Sequence, residues 1–406
     1  MDPTYSPEAE AYREKVQAFL AEKLPANWKG MGALVGDELD EFVTDWRKTL
    51  YEANYLAPGW PQEYGGAGLS ATEQVILAEE FARAGVPTGG PNDVFGIQML
   101  GNTLLMWGSE EQKQYYLPRI LSGEDTWCQG YSEPDAGSDL GNVGLKAELD
   151  GDEGVLNGQK IWTSAGHLAD HIFTLARTDP DSPKHKGISF LLVPMDQPGI
   201  EVRPIKMISG ESEFNEVFYT DARCPKDQVV GGTNNGWAVA MSLLGFERGE
   251  AAATGPIRYQ AELDRLFEMA RERGLADDPI IRQRLAWCHS KVQIMKFLGQ
   301  RTLTQFLAGH HPGPDGAISK LYWSEYHTKV TELAVDILGA DAMTLDGRPP
   351  SAAFQTDDPG AANTSGSWGG TFLNARAGTI YAGSSQIQRN IIGEMILQLP
   401  KEPKPQ

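Results

Sequence analysis

The apolar pattern of this 406-residue chain changes period twice, and that succession restricts the folds open to it. From Ser6 to about Leu121 the spacing is helical: Ser6-Pro7 opens a helix with acids in its first turn, and Tyr12, Val16, Phe19 and Leu20 recur on one face. Further helices are expected at Asp37–Ala53, Ala71–Ala84 and Glu110–Ile120, with the Gly/Pro-rich APGWPQEYGGAGLS (57–70) as a rigid corner. From about Trp127 to Val230 the period falls to two. Val155–Leu156 and Lys160–Thr163 read as strands about an Asn157-Gly158 hairpin turn, followed by ISFLLVP (188–194) and IEVRPI (200–205). After Asn234-Asn235-Gly236 the helical period returns, with helices expected at Ala238–Ala253, Pro256–Arg273, Pro279–Leu307, Ile318–Leu338 and Asn374–Leu399. The order implies an α+β multidomain chain: an N-terminal helical domain (1–125), a middle β domain (126–233) and a C-terminal helical domain (234–406). The Gly/Ser/Pro/Asp-rich stretch 341–370 is longer than an ordinary loop, and Phe354 and Trp368 within it point to partial packing.

Composition removes several functions. With 35 basic against 55 acidic residues the net charge is −20, which opposes binding to nucleic acid or anionic lipid. No apolar run approaches the ~20 residues needed to span a bilayer, so membrane insertion is not expected. The N-terminus lacks a secretory pattern. Cys128, Cys224 and Cys288 are far apart and odd in number, against a disulfide framework and in keeping with a cytoplasmic setting. His167 and His171 have no third ligand in sequence reach, so no metal site is expected.

Chemistry concentrates in YSEPDAGSDL (131–140) and NGQKIWTSAG (157–166). A flat, polar-edged redox ring such as isoalloxazine needs hydrogen-bond donors at its reactive edge and an apolar plane beside it. Ser132, Ser138, Ser164 and Trp162 supply those types; taken singly, they equally suit a tight turn with a core tryptophan.

Together with GWPQEYGGAGLS (59–70), GSEEQKQYYLPRILSGE (108–124), FYTDARCP (218–225) and IYAGSSQIQRNIIG (380–393), these segments make the chain resemble the acyl-CoA dehydrogenase family over nearly its whole length. The resemblance implies a β-barrel-like middle domain and a C-terminal four-helix bundle. It also implies FAD-dependent removal of the α-proton and β-hydride of an acyl-CoA to give a trans-2-enoyl-CoA, with electrons passed to an electron-transfer flavoprotein. Carried over by position, Tyr131, Ser132, Gly137, Ser138, Trp162, Ser164, Ser384 and Gln386 would contact FAD, and Ser138, Arg248 and Tyr381 would line the acyl-CoA path. Tyr131 stands where an aliphatic residue is usual, and Asn142 where a small one is common.

Most of the family places a glutamate just before the glycine of the C-terminal motif, where this chain has Ala382. A minority branch places the base on the first C-terminal helix in an L-x-x-E-R pattern, matched by LLGFERGE (243–250), which makes Glu247 the expected base and Glu250 the runner-up. A base need only reach the α-proton, and apolar neighbours would raise its pKa toward neutrality. The backbone N–H at Ala382 would remain as the oxyanion contact, since substitution spares the main chain. Family segments that reach a neighbouring subunit's FAD are altered here, with Asp336 for the usual glutamine and Ala340 for a glycine. This implies a homotetramer with a rebuilt site or a heterotetramer with a related subunit, as in actinobacterial steroid-degrading branches. Acyl-CoA oxidase or flavin monooxygenase chemistry, and a non-catalytic partner role, are the alternatives.

Overall fold

A computed structural model describes residues 5–246, 248–307, 313–350 and 356–401. Its helix, sheet, helix order is the one expected from the periods. The elements are α1 (Pro7–Lys23), α2 (Asp37–Glu52), α3 (Ala71–Ala84), α4 (Asn102–Trp107) and α5 (Glu110–Ser122), then β1 (Trp127–Gly130), β2 (Lys146–Asp150), β3 (Glu153–Ser164), β4 (His171–Arg177), β5 (Ile188–Pro194), β6 (Ile200–Pro204), β7 (Phe214–Pro225) and β8 (Val229–Val230). They are followed by α6 (Gly236–Phe246), α7 (Arg248–Glu272), α8 (Pro279–Leu307), α9 (Gly316–Leu338), α10 (Ser365–Ala375) and α11 (Ser385–Ile391). Two compact units divide them: Met1–Phe42, Ser70–Pro87 and Arg248–Gln406 form one, Val43–Leu69 and Thr88–Glu247 the other.

In the first unit, α7, α8 and α9 pack through side chains at three- and four-residue spacing. Tyr259, Leu263 and Leu266 meet Leu285, Cys288 and Val292, and both rows meet Val330, Leu333 and Ile337. Trp368 of α10 joins this core at 1% exposure, so the packing expected inside 341–370 is present there; Phe354 lies outside the described residues. A buried ionic cluster anchors Arg348, Asp357 and Asp358 of that stretch. Arg348 meets Asp357 at 3.2 Å and Asp358 at 2.8 Å, and Arg265 donates to Ser367 while lying over the Trp368 ring. At Gly30 (φ +111°) an added Cβ would lie 2.2 Å from Pro359 O, so only glycine lets this loop seat against the 30–32 turn.

In the second unit the sheet runs β6-β7-β3-β2-β4-β5-β8, with β1 parallel to β4. Alternate residues of β3, β4, β5 and β7, among them Leu156, Ile172, Leu191 and Val217, form its core. Cys128, Cys224 and Cys288 are buried free thiols.

Three local expectations are corrected. Asn157-Gly158 is not a hairpin turn: the chain reverses at Gly151-Asp152, and β3 runs on through 157–158 opposite a bulge in β7. There Asn157 exchanges hydrogen bonds with Asp221, and Gly158 (φ +148°) lets Leu145 approach to 3.0 Å of where a Cβ would sit. The expected helix 374–399 is broken: α10 ends at Ala375, a 3-10 turn spans Ala377–Thr379, and the left-handed Ala382 (φ +49°) and Gly383 (φ +85°) keep the chain non-helical until α11. Pro256 lies inside α7 instead of marking a boundary.

Candidate functional site

The second unit brings the two chemistry-bearing segments together through a buried ion pair. Lys160, fully buried in β3, reaches Glu133 Oε1 at 2.7 Å and donates to Tyr131 O at 3.1 Å. Glu133 also accepts from the backbone N–H groups of Gly144 (2.5 Å) and Leu145 (2.9 Å), and Ile161 N donates to Ser132 O at 2.9 Å. Burial outweighs the pull of Glu133 and lowers the Lys160 ammonium to about 8. Sequence reasoning missed this pair, although a lysine at an inward strand position of the NGQKIWTS run was its signal.

That stitching sets Ser132 beside the strand that carries Trp162 and Ser164. A register shift against β7 between Lys160 and Thr163 leaves Trp162 at φ +62° with 56% of its surface exposed, its ring edge-on to Phe214 at 6.0 Å. Such a bulge re-aims a side chain that regular pleating would bury. Buried Asn215 secures the far end by donating to Thr163 O at 3.0 Å. Among the described residues the hydroxyls of Ser132, Ser138 and Ser164 have no hydrogen-bond partner, and the Thr163 hydroxyl is buried without one. Unused donors around an exposed indole plane fit a flavin ring.

The carboxyl of half-buried Glu213, next to Phe214, is pushed up to about 8 by burial. A carboxyl raised in this way adds stability that is complete below the unfolded value near 4.5 and is lost as pH rises through about 8. Glu213→Gln is therefore expected to raise Tm at pH 9 and barely alter it at pH 5 in thermal unfolding scans. An equal shift at both pH values would contradict this.

Gly137 and Ser138 are exposed at one margin of this unit, where bases gather. Arg177 donates to Gly141 O at 2.8 Å and Lys184 O at 3.0 Å, Lys184 pairs with Asp139, and His185 packs on Trp237 at 4.3 Å. His171 stacks on Trp127 at 4.7 Å, while His167 contacts Asn215.

The first unit holds the C-terminal motif. Among the described residues the N–H groups of Ala382 and Gly383 have no acceptor, so two successive left-handed residues present free donors. Ser384 caps α11 by accepting from Ile387 N at 3.3 Å, and Gln386 is exposed. The buried amide is two residues on, at Gln388, which sequence reasoning passed over. Glu247 lies outside the described residues; Arg248 and Glu250 are placed on the α7 backbone only. Asp336 pairs with Arg284, and Arg273 with Asp341 at 2.8 Å, so the altered trans-contact region is engaged within its own chain. No helix among the described residues is long and apolar enough to cross a membrane.

Three family models cover the chain: the acyl-CoA dehydrogenase N-terminal domain at residues 6–124, the middle domain at 128–222 and the C-terminal domain at 234–397. The acyl-CoA dehydrogenase IpdE1 of Mycobacterium tuberculosis is 43% identical across 98% of this chain and 99% of its own length. Human mitochondrial short-chain specific acyl-CoA dehydrogenase is 31% identical over 84% of this chain and 80% of its own. Among solved structures, the Tcur3481-Tcur3483 steroid ACAD matches with a TM-score of 0.81 at 33% identity, covering 99% of this chain and 100% of that one. The ChsE4-ChsE5 complex from Mycobacterium tuberculosis matches at 0.78 with 30% identity over 99% and 100%.

Proposed function

The chain belongs to the acyl-CoA dehydrogenase family, and on that premise we propose that it catalyses FAD-dependent α,β-dehydrogenation of an acyl-CoA, with Glu247 as the α-proton base. The observation that carries this reading is the outward-turned Trp162 together with the hydroxyls of Ser132 and Ser164, which have no hydrogen-bond partner among the described residues. Bound there, FAD supplies the hydride acceptor. Tyr131, Ser132, Gly137, Ser138, Trp162 and Ser164 hold it from the sheet unit, and Ser384 and Gln386 serve its distal groups. The free N–H of Ala382 acidifies the α-carbon by donating to the thioester oxygen, and Glu247 or, failing it, Glu250 takes the proton. Arg177 and Lys184 give the Ser138 margin the positive charge that CoA phosphates require, with Arg248 and Tyr381 further along the acyl path.

Alanine at 382 leaves more room beside the thioester than glutamate would. With the likeness to a steroid ACAD, this supports a bulky polycyclic acyl group. The internal pairs Asp336–Arg284 and Asp341–Arg273, and the likeness to the ChsE4-ChsE5 complex, support a tetramer completed by a related, different subunit. The electron acceptor is taken to be an electron-transfer flavoprotein and the setting cytoplasmic.

Purified chain should be yellow, hold about one FAD, and bleach anaerobically with a steroid-derived acyl-CoA. Colourless chain that acquires FAD only with a second subunit supports the partner reading. Peroxide release in air would instead mark an oxidase.

A further inference from the structure

The turn that carries Ala382 is gripped from both ends by side chains that the family reading leaves unused. From α9, Lys320 Nζ donates to Gly378 O at 2.7 Å, its ammonium over the rings of Trp323 (6.0 Å) and Tyr381 (5.7 Å). Among the described residues no carboxylate pairs with it, so its hydrogen bonding serves the turn and not an ion pair. From α11, Gln388, 3% exposed, donates Nε2 to Ala382 O at 3.0 Å and Gly383 O at 3.3 Å. Between the two anchors Ala382 sits at φ +49°, a conformation that is unfavourable for a non-glycine residue and persists only where its surroundings enforce it. At Gly383 the left-handed φ of +85° strains any other residue, and a Cβ would fall 2.3 Å from Gln388 Nε2 and displace that amide.

Peptide planarity makes this grip directional. With Ala382 O drawn to Gln388, the Gly383 N–H points away from α11, and the left-handed φ of Ala382 sets the direction of its own N–H. Both N–H groups lack protein acceptors among the described residues.

We propose that Lys320 and Gln388 are positioning residues for dehydrogenation, locking the 378–383 turn so that the Ala382 N–H is aimed at the acyl thioester oxygen before substrate arrives. The proposal rests on the dehydrogenase reading above. A donor of this kind acts through being fixed in advance, and its complete loss typically costs about 100- to 1,000-fold in rate. Misaiming it should cost roughly a tenth of that.

Holoenzyme of Gln388→Leu and Lys320→Met should therefore lose about 10- to 100-fold in kcat with KM for acyl-CoA within about two-fold and full FAD content. Lys320→Arg, which keeps an N–H donor, should recover most of the rate. Independently of turnover, amide hydrogen exchange across 377–384 should quicken in Gln388→Leu without acyl-CoA present. Unchanged kcat in both variants, unchanged exchange, or KM and FAD content falling in step with kcat would each overturn the proposal. Wild-type protein that no acyl-CoA bleaches would bring down the dehydrogenase reading itself, and this inference with it.

Discussion

Glu247→Gln is expected to leave a yellow, folded protein that no longer bleaches with acyl-CoA, with turnover reduced by about 100- to 10,000-fold, the usual effect of deleting a general base. The amide keeps the size of the side chain and loses only the ability to accept a proton, so FAD content and KM should change little. Glu250→Gln should keep most of the activity. If Glu247→Gln retains it instead, the base is misassigned and Glu250, three residues on, is the next carboxylate to test. A sharper control adds Ala382→Glu to Glu247→Gln, placing a carboxylate where most of the family has one. Partial recovery of bleaching would show that the lost function is proton removal at a position that tolerates relocation.

Lys160→Met is expected to lower stability by about 3–5 kcal/mol, the range for stranding one member of a buried ion pair. Glu133, 9% exposed, would keep its hydrogen bonds from Gly144 and Leu145 but lose the ammonium at 2.7 Å. The loss arises from leaving that carboxylate unpaired and not from the net worth of the pair, because burial itself already lowers the Lys160 pKa. Glu133→Gln combined with Lys160→Met should therefore recover much of the loss. Since Lys160 also donates to Tyr131 O, the single variant should shed FAD before it unfolds. Thermal unfolding followed together with flavin release checks both points; a Tm within ~2 °C of wild type would mean that the pair is not what joins the segments.

The order of elements was legible because it depends on apolar period, which neighbours in the chain carry. The Ser6 cap, the Ser70 and Ser109 capping boxes and the glycine ends of α3 and α5 are local too. Asn157-Gly158 misled because its hairpin signal is local, whereas its place in a continuous strand facing the β7 bulge depends on Asp221 and Leu145, outside that run of residues. Likewise Gln386 and Gln388 are equivalent as letters. Only the left-handed turn decides that 388 faces inward to its carbonyls and 386 outward.

By itself, then, the sequence determined the helix, sheet, helix succession, the two hydroxyl-rich segments of the candidate site and the absence of a carboxylate at position 382. Those features follow from side-chain type and short-range spacing. Tertiary structure alone decided that Lys160 and Glu133 bind the two segments into one surface, that Trp162 turns outward, and that the Ala382 N–H has no acceptor among the described residues. Each of these depends on burial and backbone conformation imposed by residues remote in the chain, and neither quantity is carried by any local run of residues.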